Sequence, residues 1–247
     1  SKPLNGILNP MNKNELLWFY SPLSLLNRIE KTLSEVGGKK FVSTHRDWES
    51  LAEFFFMVAL KKHSGKDFYI LQPEDQFPDF DLMSASQEQD VISVTLDRFE
   101  LVTVPDRCDS FEDALSIVNG KISKGYPENF NLLVFVNHIK SREWVAMLNT
   151  RLEVFHPFKS VWTVCLLFQG KDNPYCAVVN RIRPQPLQTI AANFSDKSLW
   201  MMEPLPIFME EVEVDGKKAR AFKAAFMKEF QMKMRKANLE RIRKTRN

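Results

Sequence analysis

No run in this sequence of 247 residues approaches the ~18 consecutive apolar residues that a membrane-crossing helix needs. A membrane span is therefore not expected, nor is a secretory leader, because no basic-then-apolar segment opens the chain. The expected compartment is the cytoplasm. Cysteine is scarce: Cys108, Cys165 and Cys176 are an odd set without close pairing, and they read as reduced, buried thiols rather than a disulfide framework. The histidines His45, His63, His138 and His156 are scattered. With no Cys-x-x-Cys or His-x-x-x-His spacing, a structural zinc site is not expected. Nor is there a Gly-x-Gly-x-x-Gly or Gly-Lys-Ser/Thr loop to cradle a nucleotide's phosphates. A cysteine hydrolase built on Cys108 would need a histidine brought from afar.

What is present is a globular composition, 44% hydrophobic and 26% charged, enough for one large core or a core with an appendage. The formal charge of +3 hides a division. Of 34 basic and 31 acidic residues, twelve and two fall in 217–247, giving that stretch net +10 and leaving net −7 over the first 216 residues. Such asymmetry directs the C-terminus toward a polyanion or an acidic protein surface.

The middle of the chain, Asp67 to Val104, reads as three successive strands: Phe68–Leu71, a second opening at Phe77-Pro78-Asp79-Phe80, and a long third from Val91 to Val104. The polar run Ser84–Asp90 turns the second into the third. Before them, residues 1–19 lack a clean period and carry Pro3, Gly6 and Pro10, so they are expected to be an irregular arm. Ser21 and Pro22 open a helix that Gly37-Gly38 stops. Thr44 caps a second helix, His45 to about His63, apolar nearly all round and hence buried. Glu49 and Glu53 lie one turn apart on it.

Beyond the strands, Ser110 and Asp113 have capping-box spacing for a helix ending near Gly125. Leu132–Val136 is a strand covered on both sides, Ser141–Leu152 a helix, and Val161–Phe168 with Tyr175–Ile182 a hairpin. Two regions are expected: 1–184 as the α/β domain with an N-terminal helical arm, and 185–247 as an extended segment followed by a basic amphipathic helix from Lys217. On that helix Phe222, Phe226, Phe230 and Met234 recur every four residues, a stripe that the protein's own body, a second subunit or a partner protein must cover. Arg235, Lys236, Arg241, Arg243, Lys244 and Arg246 are the candidate nucleic-acid contacts.

This order of elements, with Pro78-Asp79 on the second strand, Thr95 to Asp97 on the third and Lys121 to Tyr126 before the fourth, resembles the PD-(D/E)XK nuclease-like superfamily over roughly residues 47–136. The resemblance implies a restriction-endonuclease-like αβββαβ core: a mixed central sheet flanked by helices. It also implies Mg²⁺ held by an acid from the first helix, the aspartate of the Pro-Asp pair and an acid on the next strand, with a lysine two residues on. Carried onto this chain, the first acid is Glu53, with Glu49 as substitute, and the second is Asp79. The third strand departs from the pattern. Thr95 and Asp97 are expected to share the face of Asp79 where the family has an acid and a lysine; Glu100 has the opposite parity unless a bulge intervenes, and Lys121 or Lys124 replaces the lysine only by reaching in from the next helix. The expected metal ligands are thus Glu53, Asp79 and Asp97, with Glu100 as a further acid.

Phosphodiester hydrolysis near neutral pH needs a metal-activated water and charge stabilisation at phosphorus, which carboxylates and a lysine supply. Two function classes follow. One is a Mg²⁺-dependent nuclease acting on DNA or RNA. The other is a catalytically inactive nuclease-fold module, without cofactor, that binds nucleic acid or assembles with itself or another protein through the C-terminal helix.

Overall fold

The computed structural model describes residues 4–8, 16–27, 45–73, 79–105, 108–136, 141–152, 158–169, 173–184, 187–193, 195–200, 205–214 and 216–244. Among the described residues nine strands form one mixed sheet whose spatial order is the chain order: β1 (Leu4–Leu8), β2 (Leu16–Tyr20), β3 (Phe68–Pro73), β4 (Phe80–Glu88), β5 (Val91–Val104), β6 (Phe130–Val136), β7 (Ser160–Gln169), β8 (Asn173–Arg183) and β9 (Gln188–Asn193). Neighbours are antiparallel except at β5–β6 and β6–β7. Parallel neighbours need a crossover, and these two junctions carry α2 (Phe111–Ile122) and α3 (Ser141–Arg151). Helix α1 (His45–Ser64) precedes β3. A separate hairpin, β10 (Met209–Val214) and β11 (Lys217–Phe222), leads into α4 (Ala224–Lys244).

Three expectations change. The N-terminal arm is not irregular: β1 and β2 extend the sheet, because the unbroken apolar run Leu16–Tyr20 pairs with β3. Gly6 sits where the β1–β2 register shifts. The sheet also continues past Pro184 into β9, which pairs along β8. The C-terminal helix starts at Ala224 rather than Lys217, since Gly216, at φ +72°, turns residues 217–222 back as a strand. Of the first expected helix, residues 22–27 are helical, with the Ser24 N–H donating to Ser21 Oγ at 3.1 Å; its remainder, Thr44 and Pro78 lie outside the described residues. The Ser110 cap forms: its Oγ accepts the Asp113 N–H at 3.2 Å and donates to Asp113 Oδ2 at 2.7 Å.

Alternation along β5 decides which layer covers what. Phe99 and Leu101 face α1, whose Phe54, Phe55 and Phe56 are wholly buried among Phe80, Leu82, Leu133 and Phe135. Even-numbered residues point to the other face, which carries two separate apolar clusters. Val102 and Val104 pack with α2 and α3, whereas Ile92 and Val94 pack with Tyr69, Leu71 and Met83 beneath Phe226, Phe230 and Met234 of α4. The α4 stripe is therefore covered by the protein's own sheet, and Phe222 lies half-buried at the end of β11. No helix of the described residues is long and apolar enough to cross a membrane.

Candidate functional site

Between those two apolar clusters, on the same face, the even positions of β5 turn polar at Arg98 and Glu100. The β4–β5 hairpin turns through Gln89 and Asp90, with Gln89 at φ 53°, and its register sets Glu88 opposite Val91 and Phe80 opposite Phe99. One residue further, Asp79 lies beside Glu100. Directly opposed residues of an antiparallel pair share a face, so Glu100, not Asp97, is the partner acid of Asp79. This corrects the expected parity, which no bulge was needed to reverse.

Lys121 comes from the last turn of α2 and closes the group. Its Nζ lies 2.8 Å from Glu100 Oε2 and 3.1 Å from Asp79 Oδ2. Asp79 Oδ2 also accepts the Leu101 N–H at 2.7 Å, so the carboxylate continues the ladder where β4 ends. Gly125, at φ +71°, then turns the chain so that the Tyr126 ring lies 5.5 Å from the ammonium. Glu100 is 2% exposed, and among the described residues its Oε1 has no hydrogen-bond partner.

Burial, with Asp79 adding to it, raises the Glu100 carboxyl above its ordinary value against the opposing hydrogen bond from Lys121. For Lys121, burial alone would lower the pKa, but the hydrogen bond to Glu100 and the two carboxylate charges outweigh it and hold the amine above the usual lysine value. It stays protonated at neutral pH. Burial and the Glu100 charge together raise the Tyr126 hydroxyl.

Other expected site residues lie elsewhere. Glu53 is buried on the α1 side of the sheet, where its carboxylate accepts from Gln72 Nε2 at 2.9 and 3.2 Å. Glu49, half-buried, belongs to the same helix. Asp97, opposite Leu82, takes an ion pair from Lys159 at 2.7 Å, and Thr95 is exposed opposite Ser84. The expected ligand trio Glu53, Asp79 and Asp97 is thus split between the two sides of the sheet. Among the described residues no group of three His, Cys, Asp or Glu side chains could hold a metal. Lys124 is exposed beyond α2. Arg235 and Lys236 are exposed on α4; the side chains of Arg241, Arg243 and Lys244, and all of Arg246, lie outside the described residues.

The Asp81–Arg98 pair, 3.7 Å apart and buried one step along the same strands, went unread in the sequence. Its signal was the hairpin register. Burial, partly offset by Arg98 and reinforced by Asp97, pushes Asp81 up to about 6. All three cysteines are buried and none forms a disulfide, and burial pushes Cys165 up to about 12. Comparison with protein-family models, curated proteins and solved structures gave no match.

Proposed function

We propose that Asp79, Glu100 and Lys121 form the hydrolytic centre of a Mg²⁺-dependent phosphodiesterase acting on DNA or RNA, on a PD-(D/E)XK-like core. The observation that carries this reading is a lysine ammonium held between two carboxylates, one of which keeps a buried oxygen without a hydrogen-bond partner among the described residues. The order α1, three antiparallel strands, α2 and parallel β6 agrees with the αβββαβ pattern that the resemblance implies. In this arrangement the lysine comes from α2 instead of the strand bearing the second acid.

The donor set fits Mg²⁺, a hard cation that takes one or two carboxylates and completes its shell with water and substrate phosphate. Asp79 and Glu100 would hold it, and when bound it supplies Lewis-acid polarisation of the phosphate and a more acidic water. The Leu101 N–H fixes the Asp79 carboxylate. Lys121, protonated at neutral pH, is suited to neutralise charge developing on phosphate oxygens rather than to act as a base. Glu100 must lose its proton to serve as a ligand, so activity rises with pH above the ordinary glutamate range.

The test is cleavage of labelled DNA and RNA with MgCl₂ and with EDTA by the wild type, Asp79→Asn, Glu100→Gln and Lys121→Met. Each substitution should lower the rate about 100-fold or more. Undiminished cleavage by Glu100→Gln would remove it from the centre. The inactive binding module is favoured by one observation, that Lys121 already compensates both acids internally; it expects no Mg²⁺-dependent cleavage by the wild type.

A further inference from the structure

We infer that the cavity beside this centre is an anion subsite that grips a second phosphate of the substrate backbone, so that the substrate is a polynucleotide rather than a small phosphoester. The assignment of the neighbouring phosphate as the one hydrolysed rests on the hydrolytic reading above. The cavity arises because β5 is longer than β6. Arg98 is the first residue of β5 that β6 pairs with, so the edge of residues 91–97 on that side has no strand beside it among the described residues. Between that edge, Asn129 and the outer turns of α4 lies a space of about 410 Å³.

Its charged lining is Arg98, Lys159, Lys233 and Lys236 against Asp81 and Asp97. Each acid has a cation beside it: Arg98 Nε lies 3.7 Å from Asp81 Oδ1, an ion pair without a hydrogen bond, and Lys159 lies 2.7 Å from Asp97. Lys233 and Lys236 are the surplus. Among the described residues Lys233 has one long ion pair, 3.8 Å, to Glu229 on its own helix, which does not line the cavity. These lysines cannot swing away with α4, because Phe226, Phe230 and Met234 anchor that helix on the sheet.

The geometry relates this space to the centre. Asp79 and Asp81 are two residues apart on β4 and Glu100 and Arg98 two apart on β5, which is about 7 Å along a strand. Two anion-accepting positions so placed, on one face of two paired strands, suit successive charges on one chain. A lone phosphomonoester would fill one position and leave the other empty.

The test is binding of a fluorescein-labelled single-stranded oligonucleotide and of its duplex to the full chain, by anisotropy, in EDTA and over a series of NaCl concentrations. Lys233→Gln/Lys236→Gln should weaken binding ~10-fold or more and reduce the salt slope by about one, as the loss of one neutralised phosphate contact removes about one. The charge-keeping pair Lys233→Arg/Lys236→Arg should restore the slope. Lys218→Gln, a neutralisation at an 89% exposed lysine on β11, should leave the slope alone. Unaltered affinity and slope in the double glutamine variant, an equal loss in Lys218→Gln, or no binding by the wild type would each overturn the inference. Because EDTA removes any metal, this outcome is independent of cleavage; a wild type that binds with a lysine-dependent slope but never cleaves refutes the hydrolytic reading alone.

Discussion

Replacing Lys121 by Met keeps the length of the side chain and removes the charge that two carboxylates share. Glu100, 2% exposed, is then left beside Asp79 with no cation between them. Removing one member of a buried ion pair costs about 3–5 kcal/mol; the Lys121 side chain is 16% exposed, so water screens part of the charge and the lower end, about 3 kcal/mol, is the expected loss near pH 8. The sign of the pH dependence follows from Glu100. Its carboxyl is raised above the ordinary 4.5, so the folded state binds the proton more tightly than the unfolded state; stability from protonation is present at low pH and is lost as pH rises through the folded value. Without Lys121 the folded value moves higher still, so the loss at pH 5 should be smaller than the loss at pH 8. Lys121 itself adds no slope between pH 5 and 8. Its pKa is raised above 10.5, so its own contribution is complete below that value and is lost only at higher pH. Urea unfolding at pH 5 and pH 8 of the wild type, Lys121→Met and Lys121→Met/Glu100→Gln checks this. The double variant should regain most of the loss at pH 8; equal losses at both pH values, or no recovery in the double variant, would refute the reasoning.

Asp81, pushed from 3.8 to about 6, should make the wild type lose about 2 kcal/mol of stability as pH rises from 4 to 6, and urea midpoints of Asp81→Asn should lack that decline. Asp79→Ala removes both the acceptor of the Leu101 N–H and a partner of Lys121, so alongside the cleavage defect its unfolding free energy should fall by about 1–3 kcal/mol. Phe226→Ala and Phe230→Ala should each cost about 3–5 kcal/mol in chemical denaturation, because both rings are fully buried between α4 and the sheet. Ser110→Ala, which deletes the α2 cap, should lower the stability by about 1 kcal/mol in the same assay.

The elements with a strong local pattern were legible. Helix α1 and β6 follow from unbroken apolar runs, buried throughout, β5 from the alternation that opens it, and α2 from its cap and the 3.6-residue spacing of Phe111, Leu115, Val118 and Ile122. The face of Glu100 was not. A parity argument across a hairpin needs the length of its turn, and the polar run Ser84–Asp90 hides a turn of two residues inside strand-forming chain: β4 continues to Glu88 although Ser84, Ser86 and Gln87 look like loop. Counting from a two-residue turn at Gln89-Asp90 would have placed Asp79 opposite Glu100. Glu53 misled for a related reason: a helix acid preceding buried phenylalanines says that it lies near the core, but not which side of the sheet it approaches. Residues 16–20 escaped because a short apolar run at a sheet edge has no period to read, and its partner strand lies some fifty residues away in the chain.

The split of one sheet face into two apolar packages bears on how the protein breathes. The cluster under α4 and the cluster under α2 and α3 share no side chain, and on β5 they meet across Leu96, Arg98 and Glu100. Cooperative opening units follow such packing boundaries. Amide exchange should therefore resolve two protection classes, with β6 and the C-terminal half of β5 slowest, since hydrogen bonds hold residues 98–104 to β6 and residues 98–99 to β4 as well. The ion-paired acids lie on the boundary between these two apolar packages, so a ligand touching both Lys121 and the α4 lysines would tie the packages together and should slow exchange in each.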